Sequence, residues 1–207
     1  MAKKLIALLQ RHGDTEANEE NVFRSRLDPP LNNKGIKQAE AAAKNIVKHY
    51  GKEIKKVVSS PMLRSLQTAD IVAEELGLKA IQDRGLISWH LGFLSGRDKD
   101  VYQDILDYYV DNPKKAIPEG ESLDDLETRL EEFCDEAFRG EFGVYVTHNS
   151  NLVTIENLIT GTKTGRQESN EKSVEPGGTI GIYLEEDGKT YSAEVLFGVE
   201  NGAEYTS

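Results

Sequence analysis

The chain has 207 residues, enough for one large domain or two small ones, and no Pro/Gly/Ser-rich linker divides it, so a single domain over 1–207 is expected. With 25 Lys and Arg against 36 Asp and Glu, the formal net charge is −11. That charge speaks against nucleic acid or an acidic membrane as a general partner, and phosphate can bind only where a local cluster of arginines reverses the field. No apolar run approaches the roughly 20 residues of a membrane span and no signal-peptide core is visible, so a cytoplasmic location is expected. The one cysteine, Cys134, excludes an internal disulfide and fits a reducing compartment.

Residues 3–9 are predicted to form a buried strand, a short run rich in Leu and Ile. Arg11-His12-Gly13 follows where that strand should open into a loop. The guanidinium can fork onto phosphate oxygens. The imidazole can attack phosphorus or move a proton. The glycine lets backbone approach a ligand. A helix is predicted over 33–50, with Ile36, Ala39, Ala43 and Val47 on its inward stripe. Val57-Val58 reads as a second strand. Ser60-Pro61 then reads as the N-cap and first residue of a helix whose inward stripe is Leu66, Ala69, Val72, Ala73 and Leu76, stopped by Gly77. Residues 79–82 are a third strand candidate, and 84–97, with its glycines and Trp89, a structured loop.

A helix over 98–111 ends before Pro113. Ser122 caps a long helix carrying Leu123, Leu126, Leu130, Phe133, Cys134 and Ala137 at clean helical spacing. Residues 142–147 read as a strand ending at His148, followed by a helix over about 150–160. The polar stretch 161–177 is expected to be a mobile loop, Thr179–Leu184 and Tyr191–Phe197 a hairpin turned at Asp187-Gly188, and 198–207 a tail. Strands alternating with helices imply an α/β fold, a three-layer α/β/α sandwich around a largely parallel sheet.

In such a sheet, ligands bind beyond the carboxyl ends of the strands. Two of the four histidines, His12 and His148, sit at strand ends and would face one crevice. Arg64 lies in the first turn of a helix that follows a strand, where free N–H groups and the positive dipole end attract anions. Arg11, His12, Arg64 and His148 could then surround one phosphate. Arg24 and Arg26 flank this loop; they either widen the positive field or pair with surface carboxylates, and the second reading is preferred. His49 is read as a solvated partner of a helix dipole, Trp89 as a core anchor, and Glu121 as a brace of its loop.

Arg11-His12-Gly13-Asp14-Thr15 with Asn18, Leu27-Asp28-Pro29-Pro30-Leu31 leading to Gly35 and Gln38-Ala39, Ser59-Ser60-Pro61-Met62-Leu63-Arg64-Ser65 with Thr68-Ala69, Gly120-Glu121-Ser122-Leu123, Val146-Thr147-His148 and Gly177-Gly178-Thr179 occur in that order. The ordered set, spanning residues 3–197, resembles the histidine phosphatase superfamily, the phosphoglycerate-mutase-like family. The resemblance implies a phosphomonoester hydrolase in which His12 forms a transient phosphohistidine. Arg11, Arg64 and His148 would hold the phosphoryl oxygens, and Asn18 would add a hydrogen bond to the phosphate. It implies no cofactor and no metal, and no His/Cys/Asp cluster has metal-ligand spacing. The implied partner is a phosphorylated small molecule, with a phosphoprotein also admitted.

Two departures matter. The family's general-acid glutamate falls on Ser88, four residues before Gly92, and serine cannot protonate a leaving group at useful strength. His90 is the nearest titratable substitute, with Asp14 and Glu16 as alternatives; a substrate with a good leaving group, such as a phosphohistidine, is the other way round the gap. Ala17 stands where the mutases carry tryptophan, and they are longer in the middle, which favours a phosphatase over a mutase. A non-catalytic phosphate-binding module is the rival of another class. Specificity is expected from residues 84–118 and 161–177.

Overall fold

The computed structural model describes residues 3–18, 20–162 and 174–198. Six strands form one sheet: β1 (Lys4–Arg11), β2 (Lys56–Ser59), β3 (Ala80–Gln82), β4 (Gly143–Thr147), β5 (Thr179–Leu184) and β6 (Tyr191–Phe197), in the order β3-β2-β4-β1-β5-β6. The pairings β3·β2, β2·β4 and β4·β1 are parallel, whereas β5 runs antiparallel to both β1 and β6. The largely parallel centre is as the alternating pattern requires. The predicted hairpin closes it at one edge, with Asp187 Oδ1 accepting from the backbone N–H groups of Lys189 and Thr190 at 2.8 Å each.

Each sheet face has its own core. Leu8, Val57, Val144 and Val146 pack against α1 (Asn33–Tyr50) and α2 (Leu63–Leu76) through Ala43, Ile46, Ala69 and Val72. Ala7, Leu9, Val58 and Tyr145 face α4 (Leu123–Arg139) and α5 (Asn149–Thr160) through Leu126, Leu130, Phe133, Leu152 and Ile155. Alternate strand residues point to opposite faces, so one apolar run feeds both cores. Each fully buried Leu or Ile is worth about 1.5–3 kcal/mol. Cys134 is buried in the second core, where burial pushes its thiol up to about 12 and leaves it protonated. The shorter α3 (Lys99–Asp111) buries no residue fully and only leans Tyr102, Leu106, Tyr109 and Val110 on that core.

Two helix expectations are corrected. The inward face of α1 is Gly35, Gln38, Ala39, Ala42, Ala43 and Ile46, while Ile36 is 38% exposed. The stripe turns because Gly35 packs directly on the backbone of Asp14, and Gln38 Oε1 accepts from Asp14 N at 2.8 Å. The second helix begins at Leu63 with Met62 as its N-cap and no side-chain cap, rather than at Ser60-Pro61. Ser60 is buried and its hydroxyl serves His148 instead. By contrast, Ser122 caps α4 as expected, in a capping box with Asp125. The expected loop over 161–177 falls for residues 163–173 outside the described residues, as does the tail beyond Gly198.

Candidate active site

The register of the central strands assembles the site. Arg11 pairs with Thr147 across β1 and β4, so His12 and His148 are the next residue on each strand, and His12 N donates to Thr147 O at 3.0 Å. Ser59 pairs with Val146 across β2 and β4, which brings Ser60 beside His148. Arg64 sits in the first turn of α2 and is 2% exposed. His12, Arg64 and His148 therefore meet where the spacing of strands and helices places them.

Their geometry fixes the tautomers. His12 Nδ1 lies 2.7 Å from Gly13 O, a hydrogen bond only if Nδ1 carries the proton, so the lone pair is on Nε2. Arg64 Nε donates to that Nε2 at 3.1 Å. Arg64 Nη2 lies 3.1 Å from His148 Nδ1; a guanidinium only donates, so Nδ1 accepts and His148 Nε2–H donates to Ser60 Oγ at 2.8 Å. The two imidazoles stand edge to face with centroids 5.2 Å apart. The remaining Arg64 donors go to Leu27 O at 2.8 Å and Ser25 O at 3.2 Å, with Asp28 3.7 Å away. One guanidinium thus ties two imidazoles to the loop 25–28.

Burial, and then the Arg64 charge, hold both imidazoles well below the ordinary histidine range. Each is neutral at pH 7, as a nitrogen nucleophile must be. Burial also lowers Arg11 and Arg64 to about 10, leaving both cationic. Arg11 is 8% exposed and turns toward α5, donating to Val174 O and to Asn149 Oδ1 at 3.5 Å.

A cleft of about 140 Å³ opens on this cluster, lined by His12, Arg64 and His148 on one side and by Val22–Ser25, Ser88, Trp89, Leu91 and Lys99 on the other. Asn149 and Ser150, the first two residues of α5, complete it, so a helix N-terminus faces the cavity. Arg11, Asn18 and His90 are not among the lining residues. Asn18 stands just behind: its Oδ1 accepts from Thr15 N at 3.2 Å, from Thr15 Oγ1 at 2.8 Å, and from Arg24 Nη1.

His90 is engaged through its backbone. Its N–H donates to Glu121 Oε1 at 2.8 Å and its carbonyl accepts from Glu121 N at 2.9 Å, while Arg129 Nη2 holds the same carboxylate at 2.9 Å. Glu121 braces the loop, and Trp89 belongs at once to the core and to the cleft wall. Asp14 turns away to Lys34 at 2.7 Å and Gln38 at 3.3 Å. Ser88 lines the cleft itself and is 6% exposed.

Gly13 has a different reason from the one expected. A Cβ there would lie 2.3 Å from Gly35 O, so the glycine admits the start of α1 rather than a ligand.

Sequence reasoning missed three residues. Arg24, read as a surface partner, is instead turned into the cleft, where burial lowers its pKa. Lys99 is brought beside it by the bridge Val22↔Asp98 and by Lys99 N donating to Asn21 O at 2.9 Å. Burial, then Arg24 and Arg11, lower the Lys99 ammonium. Ser60 had been assigned to helix capping. No local periodicity signals the first two, because the contact joins segments far apart in the chain. Arg26, by contrast, does meet a carboxylate, Glu121, at 3.6 Å.

Residues 7–194 match the family described as the histidine phosphatase superfamily (branch 1). A 2,3-bisphosphoglycerate-dependent phosphoglycerate mutase of Thermoplasma acidophilum is 32% identical over 146 residues, covering 70% of this chain and 70% of the relative. Among solved structures, Bacillus stearothermophilus YhfR superposes with a TM-score of 0.76 at 26% identity, over 95% of this chain and 98% of its own. The alpha-ribazole phosphatase from Shigella flexneri superposes with a TM-score of 0.74 at 24% identity, over 94% of this chain and 99% of its own, a likeness of fold. Among the described residues no helix is long and apolar enough to cross a membrane, and no three His, Cys, Asp or Glu side chains converge as metal ligands do. With its two strand-end histidines bridged by one buried arginine, the chain belongs to branch 1 of the histidine phosphatase superfamily.

Proposed function

We propose that the chain is a metal-independent phosphatase that transfers a phosphoryl group to His12 Nε2 and releases it to water. The observation that carries this reading is the neutral His12, its Nδ1–H held by Gly13 O and its Nε2 lone pair 3.1 Å from the Arg64 guanidinium. That guanidinium stands within reach of the oxygens of a phosphoryl group bound at His12 Nε2. His12 attacks phosphorus in line. Arg64 and, through its charge from behind the cleft wall, Arg11 offset charge on the equatorial oxygens; His148 accepts from Arg64 and holds that guanidinium in place, and the amide groups at the start of α5 add donors. Asn18 acts through Arg24, whose side chain it orients. His90 has no part in this assignment, since its ring does not line the cleft.

Turnover of p-nitrophenyl phosphate in the presence of EDTA tests the proposal. Release that survives EDTA, disappears in His12→Ala and passes through an acid-labile phosphoenzyme supports it. Phosphate binding without turnover overturns it in favour of a binding module. With 3-phosphoglycerate, free phosphate supports the hydrolase and isomer without phosphate supports a mutase.

A further inference from the structure

We propose that the cleft takes phosphoanhydrides, with a second phosphate as leaving group, in preference to phosphate esters of alcohols. This rests on phosphoryl transfer to His12 and adds to it the chemistry of what departs.

The first observation is the lining of the cleft, which among the described residues holds no carboxylate. Ser88 stands in its wall. Three neighbouring carboxylates are each engaged: Asp14 with Lys34 and Gln38, Asp28 near Arg64 and on Leu63 N, Glu121 with Arg129 and His90 N. His148 is neutral and its ring N–H is held by Ser60. An alcohol leaving as alkoxide loses the factor of about 10²–10⁴ that a placed acid supplies. A phosphate leaving group needs no such proton, because it is a far weaker base than an alkoxide.

The second observation is an excess of cations. Arg64, with Arg11 behind it, already supplies positive charge at His12. Arg24 and Lys99 add two positive charges to the same cleft, where each is half-buried. Like charges brought together out of water are costly unless an anion lies between them. The phosphoryl group at His12 uses the first set, and a second phosphate attached to it would meet Arg24 and Lys99. Asn18 pins one end of the Arg24 fork, leaving the planar group oriented for a phosphate.

The step balances without a co-reactant. The His12 Nε2 lone pair forms the N–P bond while the bridging P–O bond breaks, its electron pair leaving on the second phosphate. Water then attacks phosphorus, the N–P pair returns to Nε2, and the water proton goes to the released phosphate. One anhydride and one water give two phosphates.

The test compares kcat/KM for pyrophosphate, β-glycerophosphate and p-nitrophenyl phosphate in EDTA. Pyrophosphate is expected to exceed β-glycerophosphate by about 10²-fold or more, the size of a placed acid's contribution. Arg24→Gln and Lys99→Gln should each lower the ratio of pyrophosphate to p-nitrophenyl phosphate turnover by about tenfold. Ser88→Glu should raise β-glycerophosphate turnover by about tenfold or more without raising that of pyrophosphate. Equal turnover of the alcohol ester and the anhydride in the wild type overturns the proposal, as does an unchanged ratio in Arg24→Gln. If p-nitrophenyl phosphate is hydrolysed through His12 and pyrophosphate is not, this inference falls while the phosphatase reading stands. If no substrate turns over, both fall.

Discussion

The two walls of the cleft differ in what holds them. His12 and His148 stand at the ends of β1 and β4, strands buried on both sides, and Arg64 stands in the first turn of α2 on its buried face. Their donors and acceptors are matched to one another and to backbone carbonyls. The facing wall is made of segments 21–26 and 88–99, joined by one isolated bridge and a few backbone hydrogen bonds, and anchored from behind by Glu121. Rigid elements hold the groups that would meet phosphorus, and loops hold the groups that would meet the rest of a substrate. A reaction can therefore stay fixed while the substrate changes, because loop residues vary at little cost to the core.

That contrast can be broken at several points. His12→Ala should have the largest effect, a loss of about 10³-fold or more in kcat on p-nitrophenyl phosphate, equivalent to about 4 kcal/mol. Retained turnover would place the nucleophile elsewhere. Gly35→Ala comes next. Its Cβ would lie 2.0 Å from Asp14 O, so α1 must move from the His12 loop. A loss of about 3 kcal/mol in denaturant stability is expected, with activity falling alongside. An unaltered midpoint would show that the two segments yield easily. Ser60→Ala removes the acceptor of the His148 ring proton in a buried site and should cost about 1–2 kcal/mol, read as roughly a tenfold fall in kcat/KM. Normal kinetics would mean that His148 keeps its orientation from Arg64 alone. On the loop wall, Lys99→Gln should move stability by only about 0.5 kcal/mol, whatever it does to catalysis. A large shift in its unfolding midpoint would place Lys99 in the supporting structure rather than in the binding wall.

The imidazoles give a pH test of the same division. Both have folded-state values below 6.5, because burial and Arg64 oppose their protonation. Below that pH the unfolded chain takes up protons that the folded chain refuses. The stability from these groups is present above 6.5 and is lost as pH falls through and beneath that value. Tm should decline on the acid side, less so in His148→Gln, and the acid limb of kcat should lie well under 6.5. A limb at 6.5 would mean that water reaches the His12 wall as freely as it reaches the loops.

From the sequence alone came the α/β layering, the two strand-end histidines, Arg64 in a helix's first turn, and the caps at Ser122 and Gly77. Each of these is a local matter of apolar spacing, a capping side chain or a left-handed terminal residue, written within a few neighbouring positions. Only the tertiary structure decided that Ser60 orients an imidazole instead of capping α2, that Gly13 accommodates Gly35, and that Arg24 and Lys99 share a cavity while the His90 ring stays out of it. The reason is physical. Those facts depend on which distant backbone segments pair and in what register, and a side chain's direction across such a contact leaves no periodic trace in the residues on either side.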